Sequence, residues 1–416
     1  MGWFKAVQCI RCKSPLGTAP YYLGCPKCES EGVNCNYTTI YDLSEAYLPE
    51  AHPEAGIWSY KPFYPVHDDA REISLQEGNT PLIHLKSLGE RLGLNRLYVK
   101  DESRNPTLSF KDRFCSVAIT KAVQDSAPGI VVSSTGNQGA SAAAYAAKAG
   151  KPCIIFTVAE VPDTMKTLML VYGAAVVMVP TSLDRWKLMR LCVQEFGWAP
   201  ISGFISPPIG SNCYGVDGYK SMAFEVYRQL QNTAPDAVIF PTAYSDGLYG
   251  FYKGMEDLRE LKLVSHLPKL IASEVFGSME QTLAVHADRP VAVGSSWSVS
   301  FSIAGSLCTW QGLESVASTN GYARCSNDAE TLRMQILLAR TEGLYAENSS
   351  VTSLVCAGKL AAEGKIGPDD TVVAVLTSTG LKDPVTTQKN MPTVPHINPD
   401  RDELRKALAN SYGIKL

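Results

Sequence analysis

Seven short runs of β-branched and apolar residues alternate with longer helical stretches from about Leu97 onward, and this alternation constrains the fold most. Their largely apolar character is typical of strands buried on both faces. Strands that alternate with helices predict βαβ units and a parallel sheet. The runs are LYVKD (97–101), GIVVSS (129–134), CIIFTVA (153–159), AVVMVP (175–180), DAVIFPT (236–242), KLIASEV (269–275) and TVVAVLTS (371–378).

Two Ala-rich segments are the clearest helices. SAAAYAAKAG (141–150) ends on Gly150 just after Lys148, which is a typical helix C-terminus, and SLVCAGKLAAEGKIG (353–367) is similar. We expect both to pack on the sheet. Residues 1–46 are rich in cysteine and turn residues, and they predict an appendage to this core.

Length and charge limit the class of protein. The chain has 416 residues, with 38 Lys and Arg against 41 Asp and Glu, and it contains no basic block that would follow a phosphate backbone. No apolar run approaches the roughly 20 residues that span a bilayer, and the N-terminus lacks a secretory hydrophobic stretch. The sequence therefore predicts a cytoplasmic globular protein without a nucleic-acid or membrane partner.

Five of the twelve cysteines lie in the first 35 residues. Cys9 and Cys12 form one CxxC pair, and Cys25 and Cys28 form a second, which is close to the spacing of a four-thiolate zinc ribbon. Cys35 is a spare thiol that could replace a ligand. The alternative is a ribbon that has lost its metal. Even when it holds a metal, a closed four-thiolate site is structural and not catalytic.

Lys111 follows the Pro/Thr/Ser turn of NPTLSFKDR (105–113), at the predicted start of a helix. The positive potential of a helix N-terminus lowers the pKa of a lysine and favours the neutral amine that forms an imine. Taken alone, this position is also typical of a solvated surface lysine.

Three further loops follow predicted strands. SSTGNQG (133–139) precedes the Ala-rich helix and could bind a carboxylate or phosphate through backbone N–H groups. The loop of Ser245, Asp246, Gly247 and Gly250 could do the same, although the Asp246 charge opposes it. Thr377, Ser378 and Thr379 end the last strand, at the edge where open α/β sheets collect ligands. Ordinary capping explains each loop equally well by itself.

In this order the segments resemble the fold-type II pyridoxal-phosphate enzymes, and within them the threonine synthase branch, from about Leu75 to Pro384. The motifs that carry the resemblance are LQEGNTPL (75–82), VKDES (99–103), NPTLSFKDR (105–113), SSTGNQGASAAAYAAKAG (133–150), SIA (302–304) and LTSTGLKDP (376–384). The cysteine ribbon also occurs on many members.

The resemblance implies two three-layer domains with mostly parallel sheets behind a small zinc-ribbon-like segment, residues 1–46. The large cofactor-binding domain would comprise residues 47–130 and 205–416, and the small mobile domain residues 131–204. A homodimer is implied as well.

The resemblance also implies a role for each site residue. Lys111 would carry pyridoxal 5′-phosphate as the internal aldimine and then remove the substrate's α-proton. The other cofactor-binding and carboxylate-binding positions complete the expected site. The cofactor-binding positions are Asn137 beside the ring, Ser245, Asp246, Gly247 and Leu248 at the phosphate, and Thr377 at the pyridine nitrogen; Ser134, Thr135 and Gln138 would bind the substrate carboxylate.

The chain departs from threonine synthases where they bind the phosphate of O-phosphohomoserine. Aligned on DGYKSMAFE (217–225), Gly215 stands at the position of a phosphate-binding arginine, and Ile209-Gly210 replaces an Asn-Ser pair. Tyr244 replaces an asparagine. The sequence therefore predicts β- or γ-elimination or replacement on a small L-amino acid other than O-phosphohomoserine.

Three alternatives remain at this stage. The first is a true threonine synthase that holds phosphate with other residues, such as Lys220, Arg185 or Arg190. The second is a serine/threonine dehydratase, although these enzymes typically lack a cysteine ribbon. A zinc protein without catalysis is the third, and the survival of Lys111, Asn137 and Thr377 argues against it.

Overall fold

The computed structural model describes residues 2–17 and 21–416. Thirteen strands occur in these two ranges. They are β1 (Phe4–Cys9), β2 (Pro15–Gly17), β3 (Tyr37–Tyr41), β4 (Leu82–His84), β5 (Arg96–Asp101), β6 (Ile130–Ser133), β7 (Cys153–Thr157), β8 (Ala175–Met178), β9 (Ala199–Pro200), β10 (Ala237–Pro241), β11 (Lys269–Glu274), β12 (Tyr322–Cys325) and β13 (Thr371–Leu376).

The same ranges contain fifteen α-helices. They are α1 (Pro26–Ser30), α2 (Lys86–Leu92), α3 (Lys111–Gln124), α4 (Asn137–Ala149), α5 (Asp163–Val171), α6 (Ser182–Phe196), α7 (Cys213–Val216), α8 (Lys220–Gln229), α9 (Asp246–Glu260), α10 (Ser278–Ala284), α11 (Trp310–Ala317), α12 (Asp328–Glu342), α13 (Asn348–Ala362), α14 (Pro384–Gln388) and α15 (Arg401–Tyr412). No helix in the described part of the chain is long and apolar enough to span a membrane.

Two sheets carry the fold. The larger has the order β12-β11-β10-β13-β5-β4, and its neighbours are parallel except β4, which runs antiparallel to β5. The smaller has the order β8-β7-β6-β9 and is parallel throughout. The predicted α/β fold with mostly parallel sheets is confirmed, and each of the seven predicted runs contains a strand.

One strand prediction is wrong in its burial. AVVMVP was expected to be buried, but β8 lies at the edge of the smaller sheet, where Val177 is 43% and Met178 59% exposed. The apolar run AVVMVP predicts a strand, but it does not show whether other elements cover that strand on both sides. The helix predictions are better: α4 ends at Ala149, and Gly150 takes the left-handed conformation that ends a helix (φ 66°).

The cysteine-rich front forms a three-stranded antiparallel sheet, β2-β1-β3. It is less separate than the sequence predicts, because Ile10 and Leu43 belong to the main hydrophobic core. Thr39 and Tyr41 both donate hydrogen bonds to the buried carboxylate of Asp217, each at 2.5 Å. The front segment is therefore anchored to the body of the protein.

The chain divides into two compact units, Met1–Lys382 and Asp383–Leu416. The second unit contains α14 and α15, and Asp400 caps α15 by accepting from the backbone N–H groups of Asp402 and Glu403. The expected domain boundaries at residues 46, 130 and 204 stay predictions.

A buried ionic network joins strand β5 of the larger sheet to helices α3 and α8. Arg113 on α3 donates to Glu102 (2.7 and 2.9 Å) and to Glu225 on α8 (2.7 Å). Lys100 on β5 donates to Glu225 as well (2.7 Å), and all four side chains are at most 3% exposed. Two cations thus face two carboxylates, and the desolvation cost of each charge is met by short, charge-assisted hydrogen bonds.

The network also sets the protonation of its central carboxylate. Burial raises the pKa of Glu225, but Arg113 and Lys100 outweigh burial and lower it to about 2. The folded-state pKa thus lies below the ordinary value of about 4.3. The contribution of Glu225 to stability is therefore present above about pH 4 and is lost as the pH falls toward 2.

Glu225→Gln should lower the free energy of unfolding by about 3–5 kcal/mol, because it leaves an uncompensated buried cation. Denaturant unfolding at pH 7 measures the change. Glu363→Gln is the matched control, because Glu363 pairs with Arg324 near the surface and its side chain is 38% exposed. We expect that control to lose about 1 kcal/mol or less. Equal losses of unfolding free energy in the two variants would show that the buried network stabilises the protein no more than a surface ion pair does.

Candidate active site

One cavity of about 740 Å³ lies at the carboxyl ends of the parallel strands. Its wall includes the last residues of β6 and β10, Ser133 and Pro241, and Thr377 directly after β13. Every residue predicted to bind cofactor or substrate carboxylate lines it. They are Lys111, Ser134, Thr135, Asn137, Gln138, Ser245, Asp246, Gly247, Leu248 and Thr377.

Lys111 is the first residue of α3, and its Nζ lies 4.4 Å from the centre of the Phe110 ring. Its amine has no hydrogen bond or ion pair among the described residues. Burial lowers its pKa, while the negative charges of Asp246 and Glu347 partly oppose the shift. The site therefore favours the neutral, nucleophilic amine more than water does.

The loop before Lys111 has an unusual backbone. Leu108 has φ 61°, in the left-handed region that bulky residues rarely occupy, and its side chain is 39% exposed. Such a conformation costs on the order of 1–2 kcal/mol. The bridge between Ser109 and Ser378 and the hydrogen bond from Ser378 Oγ to the Leu108 carbonyl (2.8 Å) hold the loop beside β13.

The loop that begins α4 is only partly free to bind a ligand. Ser134 Oγ accepts from the N–H groups of Gly136 (3.1 Å) and Gly139 (2.9 Å), so this hydroxyl already caps the helix. Gln138 Nε2 donates to the Ile201 carbonyl (2.7 Å). Thr135 has no side-chain hydrogen bond among the described residues. The start of α4 thus offers the Thr135 hydroxyl and a helix N-terminus to an anion.

Asn137 is held by three groups, of which the sequence argument had singled out Ser378 but not Glu347 or Lys382. Its Nδ2 donates to Glu347 (2.9 Å), and its Oδ1 accepts from Lys382 (2.8 Å) and Ser378 (3.1 Å). Burial raises the pKa of Glu347 and lowers that of Lys382 to about 8. Lys382 lies in the motif LTSTGLKDP and could have been found there, whereas the loop before α13 gave no signal for Glu347.

The start of α9 contains a buried hydroxyl without a partner. Ser245 precedes the helix with φ 65°, it is 5% exposed, and its Oγ makes no hydrogen bond among the described residues. Next to it, Asp246 accepts from Ser211 N (2.9 Å), Ser211 Oγ (2.6 Å) and Gln311 Nε2 (2.7 Å). These three donors occupy the Asp246 carboxylate, whose charge had argued against an anion site here.

Gly247 keeps this helix start close to the lysine loop, because a Cβ there would lie 2.7 Å from the Phe110 ring. Thr377 directly follows β13. Its Oγ1 lies 2.8 Å from Ser350 Oγ, and the residue is 3% exposed. A buried, neutral hydroxyl therefore lines the cavity at the end of β13.

Of the positions aligned with the phosphate ligands of threonine synthases, Gly215 and Gly210 lie outside the cavity wall. Gly215 does not line the cavity, and a Cβ on it would lie 2.8 Å from both Phe114 and Ala118 on α3. A Cβ on Gly210 would lie 2.4 Å from Gln311. Neither position has room for a larger side chain, whereas Tyr244 does line the cavity. An arginine at position 215 would therefore clash with Phe114 and Ala118.

The structure separates the three cations named as alternative phosphate ligands. Lys220 is fully buried outside the cavity, where it pairs with Asp257 (2.9 Å) and lies 3.7 Å from the Tyr41 ring centre. Arg190 is exposed and is not part of the cavity wall. Arg185 lines the cavity.

The four predicted metal ligands converge. The Sγ atoms of Cys9, Cys12, Cys25 and Cys28 all lie within 4.8 Å of one another, and the Cys9–Cys28 and Cys12–Cys25 pairs are 3.6 Å apart. Tetrahedral zinc with Zn–S bonds of about 2.3 Å separates its sulfurs by about 3.8 Å. The cluster therefore fits a four-thiolate zinc ion in size and donor type, and Cys35 is not part of it.

Comparison with known proteins agrees with this architecture. The family model "Pyridoxal-phosphate dependent enzyme" matches residues 73–378. The threonine synthase of Methanocaldococcus jannaschii is 31% identical over 387 residues, which cover 91% of this chain and 93% of that protein. A threonine synthase of Bacillus sp. is 33% identical over 350 residues, covering 83% and 95%.

Two solved structures share the fold at low identity. Maize serine racemase matches with a TM-score of 0.63 and 19% identity, covering 75% of this chain and 91% of that one. Diaminopropionate ammonia lyase from Escherichia coli matches with a TM-score of 0.65 and 16% identity, covering 76% and 88%. The resemblance inferred from the motifs is confirmed, and the chain belongs to the pyridoxal-phosphate-dependent enzymes.

Proposed function

We propose that this protein catalyses β- or γ-elimination or replacement on a small L-amino acid other than O-phosphohomoserine, with pyridoxal 5′-phosphate bound covalently to Lys111. The observation that carries the proposal is the unpaired amine of Lys111, whose pKa is lowered by burial, in a cavity that every predicted cofactor residue lines. The threonine synthase relatives support the reaction class.

The residues present fit the cofactor. The orphaned Ser245 hydroxyl and the first turn of α9 offer donors to a phosphate group, and the Asp246 carboxylate is occupied by Ser211 and Gln311. Thr377 offers the pyridine nitrogen a neutral hydroxyl. Asn137, fixed by Glu347 and Lys382, would lie beside the ring. When bound, the cofactor withdraws electrons from the substrate's Cα–H bond.

The protein's own groups then do the acid–base work. Lys111 Nζ would be the base that accepts the proton from the substrate's Cα, and it could return a proton later. The α4 N-terminus and the Thr135 hydroxyl would hold the α-carboxylate. A neutral partner such as Thr377 keeps the ring a milder electron sink than a carboxylate would.

The cysteine cluster takes no part in this chemistry. We propose that Cys9, Cys12, Cys25 and Cys28 hold one structural zinc ion, because four thiolates complete a tetrahedral shell and leave no open position.

Lys111→Ala should abolish turnover and the visible absorbance of the bound cofactor, because no other lysine lines the cavity within the described residues. Absorbance spectra of the purified variant measure the loss of bound cofactor, and assays with whichever amino acid the wild type turns over in a screen of phosphohomoserine, phosphoserine, threonine, serine and O-acetylserine measure the loss of turnover. Lys382→Met is the control for the choice of lysine. Lys382 contacts Asn137 but is not the proposed anchor, so this variant should retain the covalent cofactor. A borohydride-reducible cofactor bond in Lys111→Ala would contradict the assignment.

O-phospho-L-homoserine should be a poor substrate, with kcat/KM below about 10⁴ M⁻¹s⁻¹. The cationic side chains of the cavity wall are Lys111 and Arg185, and Lys111 is committed to the cofactor, so a phosphate dianion meets one cation. An absorbance screen of phosphohomoserine, phosphoserine, threonine, serine and O-acetylserine, followed by product analysis, measures this. Release of threonine from phosphohomoserine at ordinary enzyme rates would instead establish a threonine synthase.

Cys9→Ser with Cys12→Ser should remove bound zinc, expected at about one equivalent per chain, and lower thermal stability without changing the reaction catalysed. Metal analysis and thermal unfolding measure the first two effects. Cys35→Ser is the matched control, because Cys35 is buried beside the ribbon but lies outside the four-sulfur cluster; it should keep its zinc. Wild-type protein purified without chelators that contains no zinc would refute the metal site.

A further inference from the structure

Arg185 is a partly buried cation that faces the cavity without a counterion. It lies on α6 and lines the cavity, and its Nε is buried without a hydrogen-bond partner among the described residues. No side-chain ion pair of Arg185 occurs among those residues. A guanidinium stays charged in proteins, so its burial without an anion is unfavourable.

The surroundings of Arg185 form a defined wall. Trp186 and Tyr244 meet edge to face with ring centres 6.2 Å apart, and Leu183 and Ser182 complete the α6 side. Burial lowers the pKa of Arg185 and Tyr244 opposes that shift; both residues line the same cavity. Tyr244 is next to Ser245, where the cofactor phosphate is proposed to bind, so the wall adjoins the substrate's side-chain space.

The charges of the cavity indicate what Arg185 is missing. The acidic side chains of the wall are Asp246 and Glu347, and both are occupied: Asp246 by Ser211 and Gln311, and Glu347 by Asn137. A ligand must therefore supply the anion.

We infer that Arg185 is a specificity-determining residue that binds a second acidic group on the substrate, beyond its α-carboxylate. The inference rests on the proposed function and names the substrate class: an amino acid with a singly charged acidic side-chain group such as a carboxylate or sulfonate. A single guanidinium matches one such group with two parallel hydrogen bonds. A phosphate monoester would carry a second negative charge with no further cation to meet it.

Matched pairs of amino acids test the inference on the holoenzyme. The probes are L-aspartate against L-asparagine, L-glutamate against L-glutamine, and O-phospho-L-serine. Affinities come from calorimetry and from changes in cofactor absorbance. In the wild type, at least one acidic probe should bind 10-fold or more tightly than its amide, and O-phospho-L-serine should not exceed it.

Three variants complete the experiment. Arg185→Gln should weaken the acidic probe by about 10–150-fold, the effect of one charge-assisted hydrogen bond, while the amide and the cofactor bind as before. The affinity of Arg185→Lys for the acidic probe should lie between those of the wild type and Arg185→Gln, because lysine keeps the charge but lacks the planar guanidinium. Arg190→Gln, on the exposed side of the same helix, is the control and should match the wild type.

The contradicting outcomes are distinct. Equal binding of acids and amides by the wild type overturns the inference and leaves the proposed function intact. Loss of cofactor affinity in Arg185→Gln would assign Arg185 to the cofactor phosphate and also overturn it. Tightest binding of O-phospho-L-serine would refute the singly charged class. A holoenzyme whose cofactor responds to no amino acid contradicts the proposed function itself.

Discussion

The buried pairing of Arg113 with Glu102 and Glu225 is the interaction on which the site depends. It fixes the first turn of α3, two residues beyond Lys111, against the segment after β5 and against α8. Because all the charges are desolvated and mutually satisfied, these elements have one favourable arrangement. The direction of Lys111 into the cavity follows from that arrangement and from the Leu108 loop, which is held to β13 through Ser378.

The cavity itself is a consequence of strand order. β6 belongs to the smaller sheet and β10 and β13 to the larger, and the loops at their carboxyl ends bring hydroxyls, a helix N-terminus and an amide to one space around the lysine. This is where open α/β sheets bind ligands. Asn137, Asp246 and Thr377, which are proposed to contact the cofactor, are fixed by hydrogen bonds, whereas the wall around Arg185 and Tyr244 contains an unmatched charge. That division is expected of a family chemistry kept constant while the substrate varies.

The sequence predicted the sheets and the helix start at Lys111 because strand patterns and turn residues are local signals. The other site residues were assigned through the family resemblance that the motifs carry together. It did not predict which side chains meet across the fold. Glu347 and Lys382 fix Asn137 from positions more than 200 residues away, and no pattern near Asn137 indicates them. The alignment of Gly215 with a phosphate-binding arginine did not indicate the geometry of that position, where Phe114 and Ala118 fill the space. The exposure of β8 and the anchoring of the ribbon through Asp217 likewise depend on tertiary neighbours.

The central claim is that Lys111 is the covalent anchor of the cofactor. Borohydride reduction of the holoenzyme, followed by proteolysis and mass spectrometry, locates the modified lysine directly. The account predicts a single pyridoxyl-modified peptide that contains Lys111. Modification of Lys382 or of any other lysine in its place, or no modification in protein that binds the cofactor, would contradict it.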